Sequence, residues 1–182
     1  LTNIDTFEAA QLIPILPEGS FRRIVIKPNW VIHETLPQFP IEALVTSSTL
    51  IFASISACFK KYPNLESLII GDVPLQSCDF DLLCHQSGID RLKSQCKALY
   101  GDRVKFLDLR RERYRLRNGF LELDPGADGD PAGYSEVVLD DRSLLEEVSH
   151  RAETFRVSDY DPKETKSVHH KGSHRYLISR SI

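Results

Sequence analysis

The sequence predicts a mixed α/β fold: three layers, with a mainly parallel sheet, helices on both of its faces and an antiparallel hairpin excursion. Two observations lead to this class. Between residues 23 and 109, short apolar β-branched runs alternate with helical patterns in the order strand, helix, strand, helix, strand. After residue 110 the pattern changes to alternating polar and apolar residues around Asn118-Gly119, which is typical of a two-residue hairpin turn.

The length of 182 residues fits one α/β domain. We expect a single domain over residues 1–182, with residues 110–140 forming a β-hairpin or flap. A chain of this size buries roughly 70% of its unfolded surface, so it needs no disulfide or metal to fold. The sequence contains no methionine and ends within a strand-like pattern, so we expect the natural protein to be longer.

The first half contains the predicted parallel strands. Residues 23–27 form the first strand, which Pro28 ends. A helix capped by Thr46, Ser47 or Ser48 runs to about residue 61, and residues 65–70 form the second strand. A longer helix follows over about residues 80–100, capped by Asp79 or Asp81 and broken at Gly88, before a third strand over 104–109.

The second half contains shorter elements. The hairpin pairs residues 113–117 with 120–123. The remaining predicted elements are a strand over 134–139, a helix over 143–150, a strand over 155–157, a helix opening at Pro162 and a last strand over 174–179.

Composition excludes several classes of protein. A net charge of −3 argues against a nucleic-acid binder, and no apolar run approaches the roughly 20 residues of a membrane span. The phosphate-loop, dinucleotide, zincin and hydrolase motifs are missing from the sequence. The four cysteines form no CxxC pair, so we expect buried free thiols in a reducing cytoplasm.

Polar residues follow the first two predicted strands, at the edge where α/β proteins bind ligands. Lys27 and Asn29 follow the first strand, and Asp72 follows the second. A lysine and an asparagine suit a carboxylate or phosphate group, and an aspartate suits a ribose hydroxyl, a metal ion or Lys27. Gln76 and Asp79 lie in the loop that should overhang the same edge. Ordinary turn or strand-end roles are the alternative for each of these residues.

Two further groups are candidates for chemistry. His169, His170 and His174 lie within six residues and are able to bind a metal ion or exchange protons, although a solvated basic loop explains them as well. The second group is a row of arginines that alternate along a strand, which would place them all on one face, either to hold a phosphate or an acidic partner or to protect an edge strand. Its members are Arg111, Arg113, Arg115 and Arg117.

Several segments resemble one family, domain of unknown function 362. They are residues 24–29 (IVIKPN), 68–74 (LIIGDVP), 76–80, 155–162 (FRVSDYDP) and 176–178, together with His169, His170 and His174. The resemblance covers residue 20 to the end and implies an α/β fold of unassigned activity. Some members lie beside polysaccharide or natural-product genes, and some carry a ferredoxin-like module whose cysteine spacing this chain lacks. Members usually continue into a lysine-rich stretch after the segment matching residues 176–182.

We therefore expect a cytoplasmic enzyme that binds an anionic or hydroxyl-rich small metabolite, and the resemblance implies a biosynthetic cluster protein as one option. Lys27, Asp72 and His170 are the expected catalytic residues, and Asn29, Gln76, Asp79, His169 and His174 the expected substrate-binding residues. The sequence identifies no cofactor and leaves a metal and a homo-oligomer open. The alternative is a non-catalytic binding or assembly module that uses the arginine-rich strand.

Overall fold

A computed structural model describes residues 9–34, 39–117, 120–124, 129–142 and 175–181. Its contacts divide the chain into two compact units, Leu1–Asp130 and Pro131–Ile182, which are described separately below. The expectation of a single domain stays a prediction.

The first unit is built on a three-stranded parallel sheet. Its strands are β1 (Arg23–Ile26), β2 (Ser67–Asp72) and β3 (Val104–Asp108), in that spatial order. Ile26 lies opposite Ile70, and Asp72 lies opposite Asp108. All three strands therefore end at one edge, and the predicted mixed α/β class with a parallel sheet is confirmed.

Three helices connect these strands. Helix α1 (Ser48–Lys61) begins where the Ser47 side chain accepts the Leu50 N–H, which selects one of the three predicted caps. Helix α2 (Phe80–Gln86) is capped by Asp79, and helix α3 (Ile89–Tyr100) follows it. The predicted break at Gly88 is confirmed: this residue has a φ of +74°, a conformation that glycine adopts without steric cost.

The core of the first unit lies between one face of β2 and the helices. Leu68 and Ile70 on that face are fully buried, whereas Ile69 on the other face is half-buried. The helices supply apolar residues at helical spacing. The buried cluster includes Ile51, Ile55 and Cys58 of α1, Phe80, Leu83 and Cys84 of α2, and Ile89, Leu92 and Cys96 of α3.

Antiparallel pairs follow the parallel sheet. Strands β4 (Arg113–Arg117) and β5 (Phe120–Asp124) pair as the predicted hairpin. Strand β6 (Tyr134–Val138) instead pairs with β7 (Arg175–Ser179) in the second unit. The excursion predicted over residues 110–140 thus contributes strands to two separate pairs.

The arginine-rich segment is not one exposed face. Strand β4 begins at Arg113, so the exposed Arg111 lies in the bend before it. Arg113 is buried, with its guanidinium 3.9 Å from the carboxylate of Asp81. The prediction of a single arginine face is therefore wrong for Arg111, which precedes the strand, whereas Arg113, Arg115 and Arg117 alternate along β4 as predicted.

Several predicted elements lie outside the described residues. They are the helix over 143–150, the strand over 155–157 and the helix opening at Pro162. No helix in the described part of the chain has the length and apolar character needed to cross a membrane.

Candidate functional site

The ends of β1 and β2 bring Lys27 and Asp72 together. The ammonium nitrogen of Lys27 lies 2.7 Å from Oδ1 of Asp72. The two side chains differ in exposure, at 54% for Lys27 and 5% for Asp72. The parallel register that ends both strands at one edge explains this contact. The sequence reasoning thus located the pair, while the catalytic roles of Lys27 and Asp72 stay predictions.

The Asp72 carboxylate accepts hydrogen bonds from two backbone N–H groups in addition to its contact with Lys27. Its Oδ2 accepts the N–H of Trp30 at 2.8 Å, and its Oδ1 accepts the N–H of Val73 at 2.7 Å. Three donors therefore fix this carboxylate, and it ties the loop after β1 to the end of β2.

Asn29 connects the same corner to the segment before α1. Its side-chain amide donates to the carbonyl of Leu44 at 3.3 Å, while its backbone N–H donates to Oγ1 of Thr46 at 2.9 Å. The Thr46 N–H in turn donates to the Asn29 carbonyl at 2.9 Å. Asn29 is exposed, so it combines this structural role with access to solvent.

Gly71 allows the chain to pack closely behind Asp72. A Cβ placed on Gly71 would lie 2.8 Å from Cδ1 and 2.9 Å from Cγ of Leu109, closer than real Cβ contacts. The Leu109 N–H also donates to the Asp72 carbonyl at 2.8 Å. The space that a side chain at position 71 would need is therefore occupied by Leu109, from the chain after β3.

Gln76 and Asp79 lie in the loop between β2 and α2, as expected. The Gln76 side chain is exposed. Oδ1 of Asp79 accepts the N–H groups of Asp81 and Leu82, each at 3.1 Å, and so caps α2. Their proposed contacts with a substrate stay predictions.

Sequence reasoning missed a buried ion pair at the end of β3. The guanidinium of Arg110 contacts both oxygens of Asp108, with Nη2 2.5 Å from Oδ2, and both side chains are fully buried. Asp108 lies opposite Asp72 in the sheet. The rule applied to the first two strand ends, that polar residues there meet at one edge, would have identified Asp108 as well.

Two aromatic residues near the corner were also missed. His33 is largely buried, and its Nδ1 accepts the backbone N–H of Asp79 at 3.0 Å. Trp30 is buried against Phe80, with ring centroids 5.5 Å apart. Among the described residues, the indole Nε1 of Trp30 is buried with no hydrogen-bond partner, a cost of about 1–3 kcal/mol. Neither residue belongs to a periodic pattern, so no signal in the sequence pointed to them.

The predicted histidine group lies outside the described residues, which leaves His169, His170 and His174 as predictions. Over the described ranges, no group of three or more His, Cys, Asp or Glu side chains is placed to hold a metal ion.

The four cysteines are buried and free, as predicted. Burial raises the pKa of the Cys78 thiol to about 12, even with the Arg110 charge nearby. It also raises the pKa of each of the other three thiols to about 11. Because the thiolate is the reactive form, these groups are structural rather than nucleophilic.

A scan against protein-family models and searches of curated proteins and of solved structures return no match to this chain. The candidate site therefore rests on the geometry of its own residues.

Proposed function

We propose that the carboxyl edge of the parallel sheet binds a small anionic or hydroxyl-rich metabolite, with the Lys27 ammonium as its main contact. One observation supports this most directly: a half-exposed ammonium is fixed against a buried carboxylate. An ammonium carries three donors, and one suffices for Asp72. The others are available to acceptor atoms of a ligand.

The charges at this edge favour a ligand of low charge. Lys27 is balanced by Asp72, and Arg110 is balanced by Asp108. Balanced pairs create little net field, so recognition depends on directed hydrogen bonds rather than on long-range attraction. A hydroxy acid or another hydroxyl-rich molecule fits this arrangement better than a multiply charged phosphate.

In this proposal the protein is an enzyme, and Lys27 contacts the reacting molecule. Asp72 fixes Lys27, because three donors already occupy its carboxylate. The catalytic roles expected for Asp72 and His170 are retained as predictions. Asn29 and Gln76, both exposed at the same edge, are the proposed polar contacts beside Lys27.

The test is an NMR titration with three probes: D-gluconate, sorbitol and inorganic phosphate. The backbone amides of Trp30 and Val73 are the reporters because both donate to Asp72. We expect D-gluconate to shift both amides, and Lys27→Gln to weaken its binding at least about tenfold, since a hydrogen bond to a charged group contributes about 1.5–3 kcal/mol.

Lys97→Gln is the matched control, because Lys97 is 64% exposed and pairs with Asp102 on the surface. Its D-gluconate affinity should equal that of the unmodified protein. Binding that is unchanged in Lys27→Gln, or an absence of shifts with all three probes, would contradict the proposal.

Family membership and the finer architecture also belong to this proposal. We propose that the chain belongs to the family called domain of unknown function 362, and that its sheet has helices on both faces. Support comes from the two quoted segments 24–29 and 68–74, whose polar ends lie side by side. The assembly module that would use the arginine-rich strand stays a prediction without a supporting contact.

A further inference from the structure

A buried guanidinium organises the loop between β2 and α2. Nη1 of Arg110 donates to the carbonyls of Leu75 at 2.9 Å, Gln76 at 3.3 Å and Cys78 at 3.0 Å. The opposite side of the same guanidinium is held by Asp108. A planar fork of five donors suits this arrangement, whereas an ammonium provides a single point of charge. The loop conformation therefore depends on Arg110.

The loop ends at a residue that contacts His33. The carbonyl of Cys78 is held by Arg110, and the next backbone N–H, that of Asp79, donates to Nδ1 of His33 at 3.0 Å. Asp79 is also fixed as the cap of α2. The imidazole is thus positioned by a loop that is anchored at both ends.

This contact determines which nitrogen of His33 carries the hydrogen. A backbone N–H donates only, so Nδ1 must accept and must be unprotonated. In the neutral imidazole the hydrogen then lies on Nε2. Nε2 lies 3.4 Å from a carboxylate oxygen of Glu34, which is 78% exposed. Only the Glu34 side of this pair is exposed, since His33 is largely buried, so Glu34 regains water when a ligand acceptor takes its place beside Nε2.

We propose that His33 is a ligand-binding residue of the same sheet edge, donating through Nε2–H, and that Arg110 is a positioning residue that holds its imidazole in this tautomer. The ligand part rests on the proposed function and deepens it, because the ligand would offer two acceptors, one for Lys27 and one for His33. A hydroxy acid has both. The assignment of the His33 hydrogen to Nε2 does not depend on any ligand.

The tautomer is tested first, by nitrogen NMR of the histidine side chains at about pH 8, where an ordinary imidazole is neutral. His33 should show hydrogen on Nε2 alone. His85, which is 81% exposed, is the internal control and should show the averaged signals of an exchanging imidazole. Hydrogen on Nδ1 of His33 would overturn the proposal.

Arg110 is tested by two substitutions. Arg110→Met removes the fork, while Arg110→Lys keeps a charge beside Asp108 and so protects the fold if the first variant does not fold. In either folded variant the His33 signals should move toward the average. Arg103→Met is the matched control, because the exposed Arg103 also donates to a carbonyl, that of Tyr100. Unchanged His33 signals in Arg110→Lys would refute the positioning role.

The ligand role is tested with D-gluconate. His33→Ala should weaken its binding about tenfold, and His33→Gln, which keeps an N–H donor, should weaken it less. Glu34→Gln should leave binding unchanged or tighter. Weaker binding in Lys27→Gln but not in His33→Ala would refute the contact with His33 and leave the proposed function standing. If the unmodified protein fails to bind any of the three probes, the proposed function and the ligand role both fail, while the tautomer is judged by NMR alone.

Discussion

Removing the Asp72 carboxylate should destabilise the first unit far more than removing its lysine partner. In Asp72→Ala, the N–H groups of Trp30 and Val73 lose their acceptor. The buried Trp30 N–H left without a partner costs about 1–3 kcal/mol, and loss of the part-buried Val73 bond costs about 0.5–1.5 kcal/mol, so the free energy of unfolding should fall by about 1.5–4.5 kcal/mol. That is a large part of the roughly 5–15 kcal/mol that stabilises an ordinary domain.

Two milder substitutions separate the contributions. Lys27→Gln should cost at most about 1 kcal/mol, because the lost pair is open to solvent on the Lys27 side and the Asp72 carboxylate keeps both of its backbone donors. Asp72→Asn should cost about 1–3 kcal/mol, since one amide oxygen cannot reproduce two separately accepting carboxylate oxygens. Asp102→Ala, which removes an exposed partner of Lys97, is the control and should cost less than about 1 kcal/mol.

The assay is equilibrium unfolding in urea followed by fluorescence. Trp30 is the single tryptophan and is buried beside Asp72, so its emission reports on this corner. A loss in Lys27→Gln as large as that in Asp72→Asn would refute the reasoning. It would mean that the ion pair, rather than the backbone hydrogen bonds, holds the two strand ends together.

Three other predictions concern the packing and charges around this edge. Gly71→Ala should cost about 1–3 kcal/mol in urea unfolding through overlap with Leu109, and the same change should cost less in a chain that already carries Leu109→Ala. Arg113→Gln should lower the unfolding midpoint more than Arg111→Gln, because Arg113 is buried and Arg111 is exposed; equal midpoints would contradict the described packing. The raised pKa values of the four thiols should make the free energy of unfolding fall between about pH 9 and 11, because the unfolded chain loses thiol protons that the folded chain keeps. The slope should be at most about 1.4 kcal/mol per thiol and pH unit. A flat profile, or chemical labelling of the thiols in the native protein at neutral pH, would contradict this prediction. The thiols are Cys58, Cys78, Cys84 and Cys96.

Local patterns in the sequence predicted the features that depend on neighbours along the chain. Ser47 caps α1 and Gly88 separates α2 from α3 for reasons of backbone geometry that a short window reveals. The meeting of Lys27 and Asp72 was also predictable, because parallel strands in register must end at a common edge. These parts of the fold and site follow from local backbone geometry and from strand order.

The rest depends on partners that are distant in sequence. Arg110 precedes a run of alternating arginines, and a solvated role was the natural interpretation of that region. Its burial requires Asp108 and the carbonyls of residues 75–78 at the same time, and no local pattern contains both. His33 likewise gains its role only when the N-terminus of α2 arrives beside it.

The separation of these partners along the chain has a consequence for biosynthesis. Trp30 and Asp72 are 42 residues apart, and Arg110 emerges later still. A nascent chain therefore carries the first strand, with its apolar residues, through the ribosomal exit before the partners of that strand exist. Pairings of such long sequence separation form slowly and leave apolar segments open to aggregation meanwhile. Dependence on chaperones during synthesis should accordingly be greatest before β3 has been translated.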